Sequence, residues 1–261
     1  MLYIILPAYN EVQGLGLIFA DIQRHCTGLA YRIIVINDGS TDGTGELLRQ
    51  ACAARADLVM LEHPVNRGLG QALLTGFRYA VRQDAAMDQQ ADTAEMDMII
   101  TLDADNTHPA DRIPLLYQAI CAGADVAIAS RFVSGAQQYG LNSLRRMLSW
   151  GAGLLMRACF PREGLRDYSC GFRAYRLGVM REALQTYDDQ LIECRSFAAA
   201  AEILLKLLPF CHRVQEIPLE LHYERKLSCS KLRIGATVSE YFKLIYRLKR
   251  ATESSLEWAE P

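Results

Sequence analysis

The sequence has no excess of basic residues, no paired-cysteine motif and no long uninterrupted apolar segment. Its 28 lysine and arginine residues are offset by 30 aspartate and glutamate residues, so the charge expected of a nucleic-acid-binding protein is lacking. The eight cysteines form no CxxC pair, which favours reduced thiols in the cytoplasm over a disulfide framework. Because no run reaches ~18 apolar residues and the N-terminus has no basic flank, we expect neither a transmembrane helix nor a signal peptide.

Short β-branched segments alternate with longer segments of helical periodicity in the first half of the chain. Strands are predicted at "YIIL", "RIIVI", "LVML", "MIITL" and "DVAIA", and helices at Glu11–His25, Thr44–Arg55, Gly68–Gln83 and Ala110–Cys121. Continuous apolar strands in strand–helix units predict an α/β fold, with a mostly parallel sheet and helices on both faces. The polar, unpatterned segment Asp84–Asp97 is interpreted as a surface loop.

The second half of the chain departs from this alternation. Helices are predicted at Ser143–Phe160 and Phe197–Leu208, and a strand at Val214–Leu219. We expect this half to build the site for a second substrate. Residues 233–261 place apolar side chains at helical spacing among basic ones, which predicts an amphipathic helix. Such a helix either packs on the core or lies against an anionic membrane surface or a membrane-embedded partner.

The strongest polar motif, "DADNTHP", directly follows the strand "MIITL". Ligands of open α/β sheets bind at the carboxyl ends of the strands. Asp103 and Asp105 would repel each other there unless a cation lay between them, and such oxygen ligands suit Mg²⁺ or Mn²⁺, which also takes phosphate oxygens from a substrate. Thr107 can supply a further oxygen, and His108 is assigned a structural hydrogen bond. The alternative is that the aspartates cap the helix beginning near Pro109, but their place at a strand end favours the metal site.

The turn "NDGSTDGT" follows the second predicted strand. Gly39 relieves backbone strain, and Ser40, Thr41 or Asp42 can cap the next helix. Capping does not explain a carboxylate at Asp38, beside the strand end. A carboxylate fixed there can accept the ring N–H of a pyrimidine or guanine base, so we predict that this turn belongs to a nucleotide site.

Basic residues of the second half follow strands or open helices. They are Arg131 after "DVAIAS", Arg145 and Arg146 in the next predicted helix, Arg173 in "GFRAYR", Arg225 in "HYERKLSCSK", and Lys231 close by. Each alone is more often solvated or ion-paired than in contact with a ligand. If several converge on one opening, they form a receptor for a phosphate monoester, because guanidinium groups match phosphate oxygens in a bidentate manner.

The motifs "LPAYNE", "NDGSTDGT", "NRGLGQALLTGFRYA", "LDADNTHP", "ASRF", "LRRMLSWGAG", "SCGFRAYR" and "EIPLELHYERKLSCSKL" occur in this order between Leu2 and about Leu232. With them the chain resembles the glycosyltransferase family 2 enzymes, dolichyl-phosphate mannose synthase and related polyprenyl-phosphate glycosyltransferases in particular. The resemblance implies a GT-A-type nucleotide-diphosphate-sugar transferase domain over residues 1–232. Its nucleotide-binding half is expected at about 1–130 and its acceptor half at about 131–232, with the helix and tail of 233–261 behind them.

The resemblance also implies roles for individual residues. Asp38 would contact the base, and Asp103 and Asp105 would hold the metal and the donor diphosphate, with Thr107 at a third ligand position. The remaining contacts to the nucleotide sugar are assigned to Pro7, Tyr9, Glu11 and Gly68. Arg131 and Arg145 would bind the lipid phosphate, and Arg225 and Lys231 would close over donor and acceptor. The expected catalytic residues are Asp103, Asp105, Arg131 and Arg225.

Three features depart from the family pattern. Asn37 stands where the family usually has the first aspartate of "DDGS", and we expect this to be tolerated because Asp38 remains. Asn106 and Thr107 replace a leucine followed by serine or glutamine, which leaves the third metal ligand open. Many relatives add transmembrane helices, so we expect this chain to be a short form that works at the cytoplasmic face of a membrane.

The implied reaction moves a hexose, mannose or glucose, from a GDP- or UDP-linked sugar to a polyprenyl or dolichyl phosphate by single displacement with inversion. Because a phosphate monoester with a second pKa of ~6 is already ionised near neutrality, no strong general base is needed. One alternative is transfer to a saccharide hydroxyl, for which Asp167 would be the base. The other is a non-catalytic nucleotide-sugar-binding subunit that docks a small membrane protein. Nucleic acid is not expected as a partner.

Overall fold

The computed structural model describes residues 1–87, 97–141, 143–227 and 234–256. The strands are β1 (Leu2–Ala8), β2 (Tyr31–Asp38), β3 (Leu58–His63), β4 (Met98–Thr101), β5 (Val126–Ser130), β6 (Gln137–Tyr139), β7 (Arg173–Arg176), β8 (Val214–Pro218) and β9 (Glu220–His222). The helices are α1 (Leu15–His25), α2 (Thr44–Ala54), α3 (Leu69–Met87), α4 (Ile113–Cys121), α5 (Ser143–Cys159), α6 (Leu177–Tyr187), α7 (Ala198–Leu207) and α8 (Ile234–Leu256).

Seven strands form one twisted sheet in the order β3-β2-β1-β4-β7-β5-β8. All neighbouring pairs are parallel except those that β7 makes with β4 and β5. Leu2 to Leu6 and Ile33 to Ile36 are fully buried, as expected for strands covered on both faces. The prediction of an α/β fold with a mostly parallel sheet is confirmed.

β7 and α6 were not predicted from the sequence. β7 reads "RAYR", and arginines at both ends obscure the apolar pattern of an inner strand. In the structure Arg173 is fully buried, and its guanidinium donates to the carbonyl oxygens of Tyr168, at 2.7 Å, and Ala200. These tertiary contacts satisfy a polar side chain that a local pattern would assign to the surface.

The predicted element boundaries that differ most from the structure are the start of α1 and the end of α3. α1 begins at Leu15, not at Glu11, because the residues before it bind the β2–α2 loop: the Asn10 amide donates to Ser40 Oγ at 2.9 Å, and Asn10 Oδ1 accepts the Thr41 amide at 2.8 Å. α3 continues to Met87, so the start of the predicted loop at Asp84–Asp97 is helical, and buried Asp84 forms an ion pair with Arg181 of α6. Residues 88–96 of that loop lie outside the described residues.

α8 is an amphipathic helix, as predicted, and one face packs on the body of the protein. Tyr241 and Leu244 are buried in the core, while Val238, Phe242 and Tyr246 are exposed on another face of the same helix. Within the described part of the chain, no helix combines the length and the apolar character needed to cross a bilayer.

The asparagine that replaces the usual aspartate in "NDGS" has a structural partner. Asn37 is buried at the end of β2 and lies opposite Glu62 in the register of β2 and β3. Its Nδ2 donates to Glu62 Oε1 at 2.8 Å, and its Oδ1 accepts the Ser40 amide at 3.3 Å. An aspartate would lack the donor and would place two carboxylates side by side on adjacent strands.

We therefore expect Asn37→Asp to lower the free energy of unfolding by about 1 kcal/mol, measured by urea denaturation near neutral pH. The double variant Asn37→Asp/Glu62→Gln should recover most of this loss, because the glutamine amide can donate to the new carboxylate. An Asn37→Asp protein as stable as the wild type would show that the pairing with Glu62 contributes nothing.

Candidate active site

A cleft of about 900 Å³ opens at the carboxyl ends of β1, β2 and β4. Nine of the sequence-predicted site residues line it: Pro7, Tyr9, Glu11, Asp38, Gly68, Asp103, Asp105, Thr107 and Arg131. Residues from Pro7 to Arg131 meet here, because parallel strands bring their carboxyl ends to one edge of the sheet. The structure thus brings most of the predicted site together.

The turn after β4 fixes the two acidic residues. Asn106 adopts a left-handed backbone conformation with φ 64°, which asparagine tolerates better than most residues. This turn brings the Thr107 amide and hydroxyl to Asp105 Oδ1, at 3.1 and 2.7 Å. Asp105 is buried, while the side chain of Asp103 is about a third exposed to the cleft, at 33%. Asp105 therefore keeps one oxygen, Oδ2, for a further partner.

That partner is Lys226, whose Nζ donates to Asp105 Oδ2. Burial alone would raise the pKa of Asp105, but the charge and hydrogen bond of Lys226 outweigh burial and lower it. Burial raises the pKa of Asp103, and the charge of Asp105 acts in the same direction. The two neighbouring carboxylates thus favour positive charge beside them. Lys226 supplies it at Asp105, and His108 supplies it at Asp103, where burial alone would lower the pKa of His108 but the charge of Asp103 raises it to about 9.

The donor set fits a divalent cation that is completed by a substrate. Among the residues that the structure describes, no group of three His, Cys, Asp or Glu side chains could enclose a metal alone. Asp103 and Asp105 offer carboxylate oxygens, and Thr107 a hydroxyl that already donates to Asp105. Mg²⁺ and Mn²⁺ are commonly held by one or two carboxylates together with phosphate oxygens and water, and the attraction of Lys226 to Asp105 marks a position that favours positive charge.

Asp38 holds a neighbouring loop in place. Its buried carboxylate accepts the backbone amides of Arg67 and Gly68, each at 2.9 Å, and lies 2.7 Å from His63 Nδ1. The backbone at Gly68 approaches another loop so closely that a Cβ would lie 2.6 Å from the Arg195 carbonyl oxygen, and its φ is +92°. A glycine is needed there for both reasons. The contact of Asp38 with a base stays a prediction.

Arg131 is fixed by a buried carboxylate. Its Nε and Nη2 donate to Asp167 Oδ2 and Oδ1 at 2.8 and 2.7 Å, and Nη2 also donates to Ser169 Oγ at 2.6 Å. Asp167 is fully buried and also accepts the amides of Arg131, Ser169 and Cys170. Burial alone raises the pKa of Asp167, but the charge and hydrogen bonds of Arg131 bring it down to about 2. The guanidinium at the cleft is therefore held rigidly in its charged form.

The other predicted basic residues are placed differently. Arg225 is exposed, and the next residue, Lys226, lines the cleft instead. Arg145 belongs to α5, but its side chain lies outside the described part, and so does the whole of Lys231. The run "ERK" indicated basic residues near the site, but only the backbone turn after β9 decides which of them faces the cleft.

Three further elements line the cleft without having been assigned to it from the sequence. The loop before α7 contributes Arg195, whose Nε donates to the Arg67 carbonyl oxygen at 3.2 Å. α5 contributes Ser149 and Ala152, and α8 contributes residues from Ala236 to Tyr241. The residues of α5 and α8 that line the cleft are mostly small or apolar, so the sequence gave no chemical signal that would have assigned them to the site.

Comparisons with known proteins agree with this geometry. Residues 3–184 match the family described as Glycosyl transferase family 2. The polyprenol monophosphomannose synthase of Mycolicibacterium smegmatis is 31% identical over 91% of this chain and 82% of its own length. The undecaprenyl-phosphate mannosyltransferase of Micrococcus luteus is 28% identical over 88% of this chain and 87% of its own. The dolichol-phosphate mannosyltransferase of Pyrococcus furiosus is 31% identical over 95% of this chain, which spans 63% of that relative.

Solved structures share the fold. The glucosyl-3-phosphoglycerate synthase of Mycobacterium tuberculosis, crystallised with Mn²⁺, UDP and glucosyl-3-phosphoglycerate, superposes with a TM-score of 0.64 at 17% identity, covering 94% of this chain and 78% of that one. TarS of S. aureus superposes with a TM-score of 0.55 at 13% identity, covering 84% and 59%. With the family match and the seven-stranded sheet, these similarities show that the chain belongs to glycosyl transferase family 2 and is a glycosyltransferase of the GT-A fold.

Proposed function

We propose that this protein transfers a hexose from a nucleotide diphosphate sugar to a polyprenyl phosphate, by a metal-dependent single displacement with inversion at the cytoplasmic face of a membrane. The observation that carries the proposal is the shared cleft: Asp103 and Asp105 lie on it together with Arg131, whose charge acts on Asp103. A site for a cation and a fixed receptor for a second anion thus face the same space. The names of the relatives favour mannose over glucose.

In this proposal the acidic residues of the cleft bind the cation, and Arg131 binds the acceptor phosphate. Asp103 and Asp105 hold Mg²⁺ or Mn²⁺, with Thr107 orienting Asp105. The cation, when bound, stabilises the negative charge that develops on the leaving diphosphate. Asp38 and the loop that it holds border the nucleotide, and Pro7, Tyr9, Glu11 and Gly68 complete that half of the cleft. Arg131 binds the acceptor phosphate, which attacks the anomeric carbon in its ionised form and therefore needs no proton acceptor.

The surroundings of Asp167 favour a phosphate acceptor over a hydroxyl acceptor. A general base for a hydroxyl would have to reach the acceptor and bind its proton near neutral pH. Asp167 is fully buried, gives both oxygens to Arg131 and backbone amides, and has a pKa of about 2. We assign Asp167 to positioning Arg131. The exposed Arg225 would reach the cleft only if the segment around it closes over bound substrates.

The exposed faces of α5 and α8 suit contact with a lipid surface. Trp150 and Phe242 are 54% and 58% exposed, on helices whose other residues line the cleft. Met147 and Leu154 extend the apolar face of α5, and Tyr246 extends that of α8. Val238 is also exposed and borders the cleft. Among the side chains described on these two helices, the exposed basic residues are Arg146, Lys243, Lys249 and Arg250. Apolar side chains flanked by basic ones favour an anionic membrane, and this placement would let a lipid phosphate enter while its chain stays in the bilayer.

We expect Asp105→Asn to reduce transfer by at least ~100-fold, because the carboxylate that holds the cation and the diphosphate is lost. The measurement is lipid-linked label after incubation with Mn²⁺, a short polyprenyl phosphate and labelled GDP-mannose or UDP-glucose. Asp111→Asn is the control, since it removes a partly exposed carboxylate that is paired with Arg112 and does not line the cleft. Near-normal transfer by Asp105→Asn would contradict the site, and label released without lipid would contradict the acceptor.

Asp167→Asn should lower the free energy of unfolding by about 3 kcal/mol, because it leaves the Arg131 guanidinium unpaired in a buried position. The pKa of Asp167 is about 2 in the folded state and 3.8 ordinarily. The stabilisation is therefore present above about pH 4 and is lost as the pH falls towards about 2. Urea unfolding of both proteins at decreasing pH should show the difference narrowing over this window.

The control for this prediction is Asp57→Asn, which breaks the more exposed pair with Arg55 and should cost less than about 1 kcal/mol. A loss of stability no larger than that of the control would contradict the assignment of Asp167 as the buried partner of Arg131.

Phe242→Glu should weaken binding to vesicles of phosphatidylglycerol and phosphatidylcholine by at least ~tenfold, because it places a charge in the face of α8 proposed to enter the lipid. Leu17→Glu is the matched control, since Leu17 is also an exposed apolar residue but lies on α1. Co-sedimentation measures both. Equal binding of the two variants would rule out α8 as the membrane contact.

A further inference from the structure

Lys226 occupies the position on Asp105 that a divalent cation would need. Asp105 Oδ1 is taken up by the amide and hydroxyl of Thr107, so Oδ2 is the oxygen that can take another partner. The Lys226 ammonium binds Oδ2, with both side chains largely buried, at 13% and 9% exposure. The negative charges of Asp103 and Glu11 also act on Lys226.

The backbone holds Lys226 in this position. The residue follows a turn directly after β9, and its amide donates to the Tyr223 carbonyl oxygen at 3.3 Å. β9 is itself tied to the acidic turn, because the His222 amide donates to the Thr107 carbonyl oxygen at 3.0 Å. The contact between Lys226 and Asp105 therefore joins two segments that are already fixed to each other, and little chain ordering opposes it.

A metal ion and an ammonium compete for Asp105 Oδ2, because two positive charges at one oxygen repel each other. A metal that arrives alone must displace Lys226 and leave its charge in a largely buried place. A metal that arrives with a diphosphate gains phosphate oxygens as ligands, and the same negative charges offer the displaced ammonium a new partner. The free energy needed to displace Lys226 from Asp105 is therefore offset mainly when the nucleotide is bound.

We propose that Lys226 is a resident counter-cation that makes binding of the divalent metal conditional on the nucleoside diphosphate. The proposal rests on the metal site at Asp103 and Asp105 proposed above. It assigns to Lys226 a part in the order of binding that the exposed Arg225 does not share, because of the two residues it is Lys226 that contacts Asp105. Because coupling between two ligands is reciprocal, Lys226 also makes the affinity for the nucleoside diphosphate depend more strongly on the metal.

The test is Mn²⁺ binding, followed by the electron paramagnetic resonance signal of free Mn²⁺, with and without GDP or UDP and with no sugar donor or acceptor present. Lys226→Met should bind Mn²⁺ alone at least ~tenfold more tightly than the wild type, and the enhancement of Mn²⁺ binding by nucleotide should shrink by a similar factor. Lys226→Gln, which removes the charge but keeps a donor, should behave like Lys226→Met. Arg82→Met, which removes a charge from an exposed position on α3, should match the wild type.

Asp105→Asn separates failure of this proposal from failure of the metal site. If Asp105→Asn loses Mn²⁺ binding while both Lys226 variants keep the wild-type affinity and the wild-type nucleotide enhancement, the metal site stands and the role of Lys226 is overturned. If Asp105→Asn binds Mn²⁺ as the wild type does in the presence of nucleotide, the metal site itself is wrong. Tighter binding by Arg82→Met would also overturn the proposal, because the effect would then follow from net charge alone.

Discussion

The arrangement of the active-site cleft depends on positive groups that balance the two carboxylates following β4. Asp103 and Asp105 lie close together in a partly buried position, where neighbouring carboxylates are costly without a cation. The turn at Asn106 and the hydrogen bonds from Thr107 fix Asp105 in spite of this cost. Such fixed negative charge is useful to an enzyme that must attract a cation together with a diphosphate, and the fold keeps it at the sheet edge where ligands of α/β proteins bind.

Two of the positive groups around this charge, Arg131 and Lys226, differ in how firmly they are held. Arg131 is clamped by two hydrogen bonds to the buried Asp167 and by a third to Ser169, so it offers a guanidinium of fixed direction. Lys226 is a flexible side chain that contacts one oxygen of Asp105. A rigid cation suits recognition of an anion that must be oriented, whereas an exchangeable one suits a position that another cation must enter. The cleft thus pairs a permanent anion receptor with a replaceable positive charge.

Much of the nucleotide half could be predicted from the sequence, because its signals are local. The apolar runs from "YIIL" to "DVAIA" correspond to β1 to β5, and the polar residues that follow three of these strands meet in the cleft. What could not be predicted depends on tertiary contacts. β7 begins with an arginine buried against Tyr168 and Ala200, and the choice of Lys226 over Arg225 follows from a turn after a three-residue strand. The apolar wall from α5 and α8 carried no chemical signature.

The most direct test of the account is a crystal structure of the protein with Mn²⁺ and a nucleoside diphosphate, with data collected at the manganese absorption edge. The account predicts an anomalous peak in the cleft beside Asp103 and Asp105 together with a bound diphosphate, and the Lys226 ammonium moved away from Asp105. A diphosphate bound elsewhere, or one bound in the cleft without a manganese peak while Lys226 stays on Asp105, would contradict it.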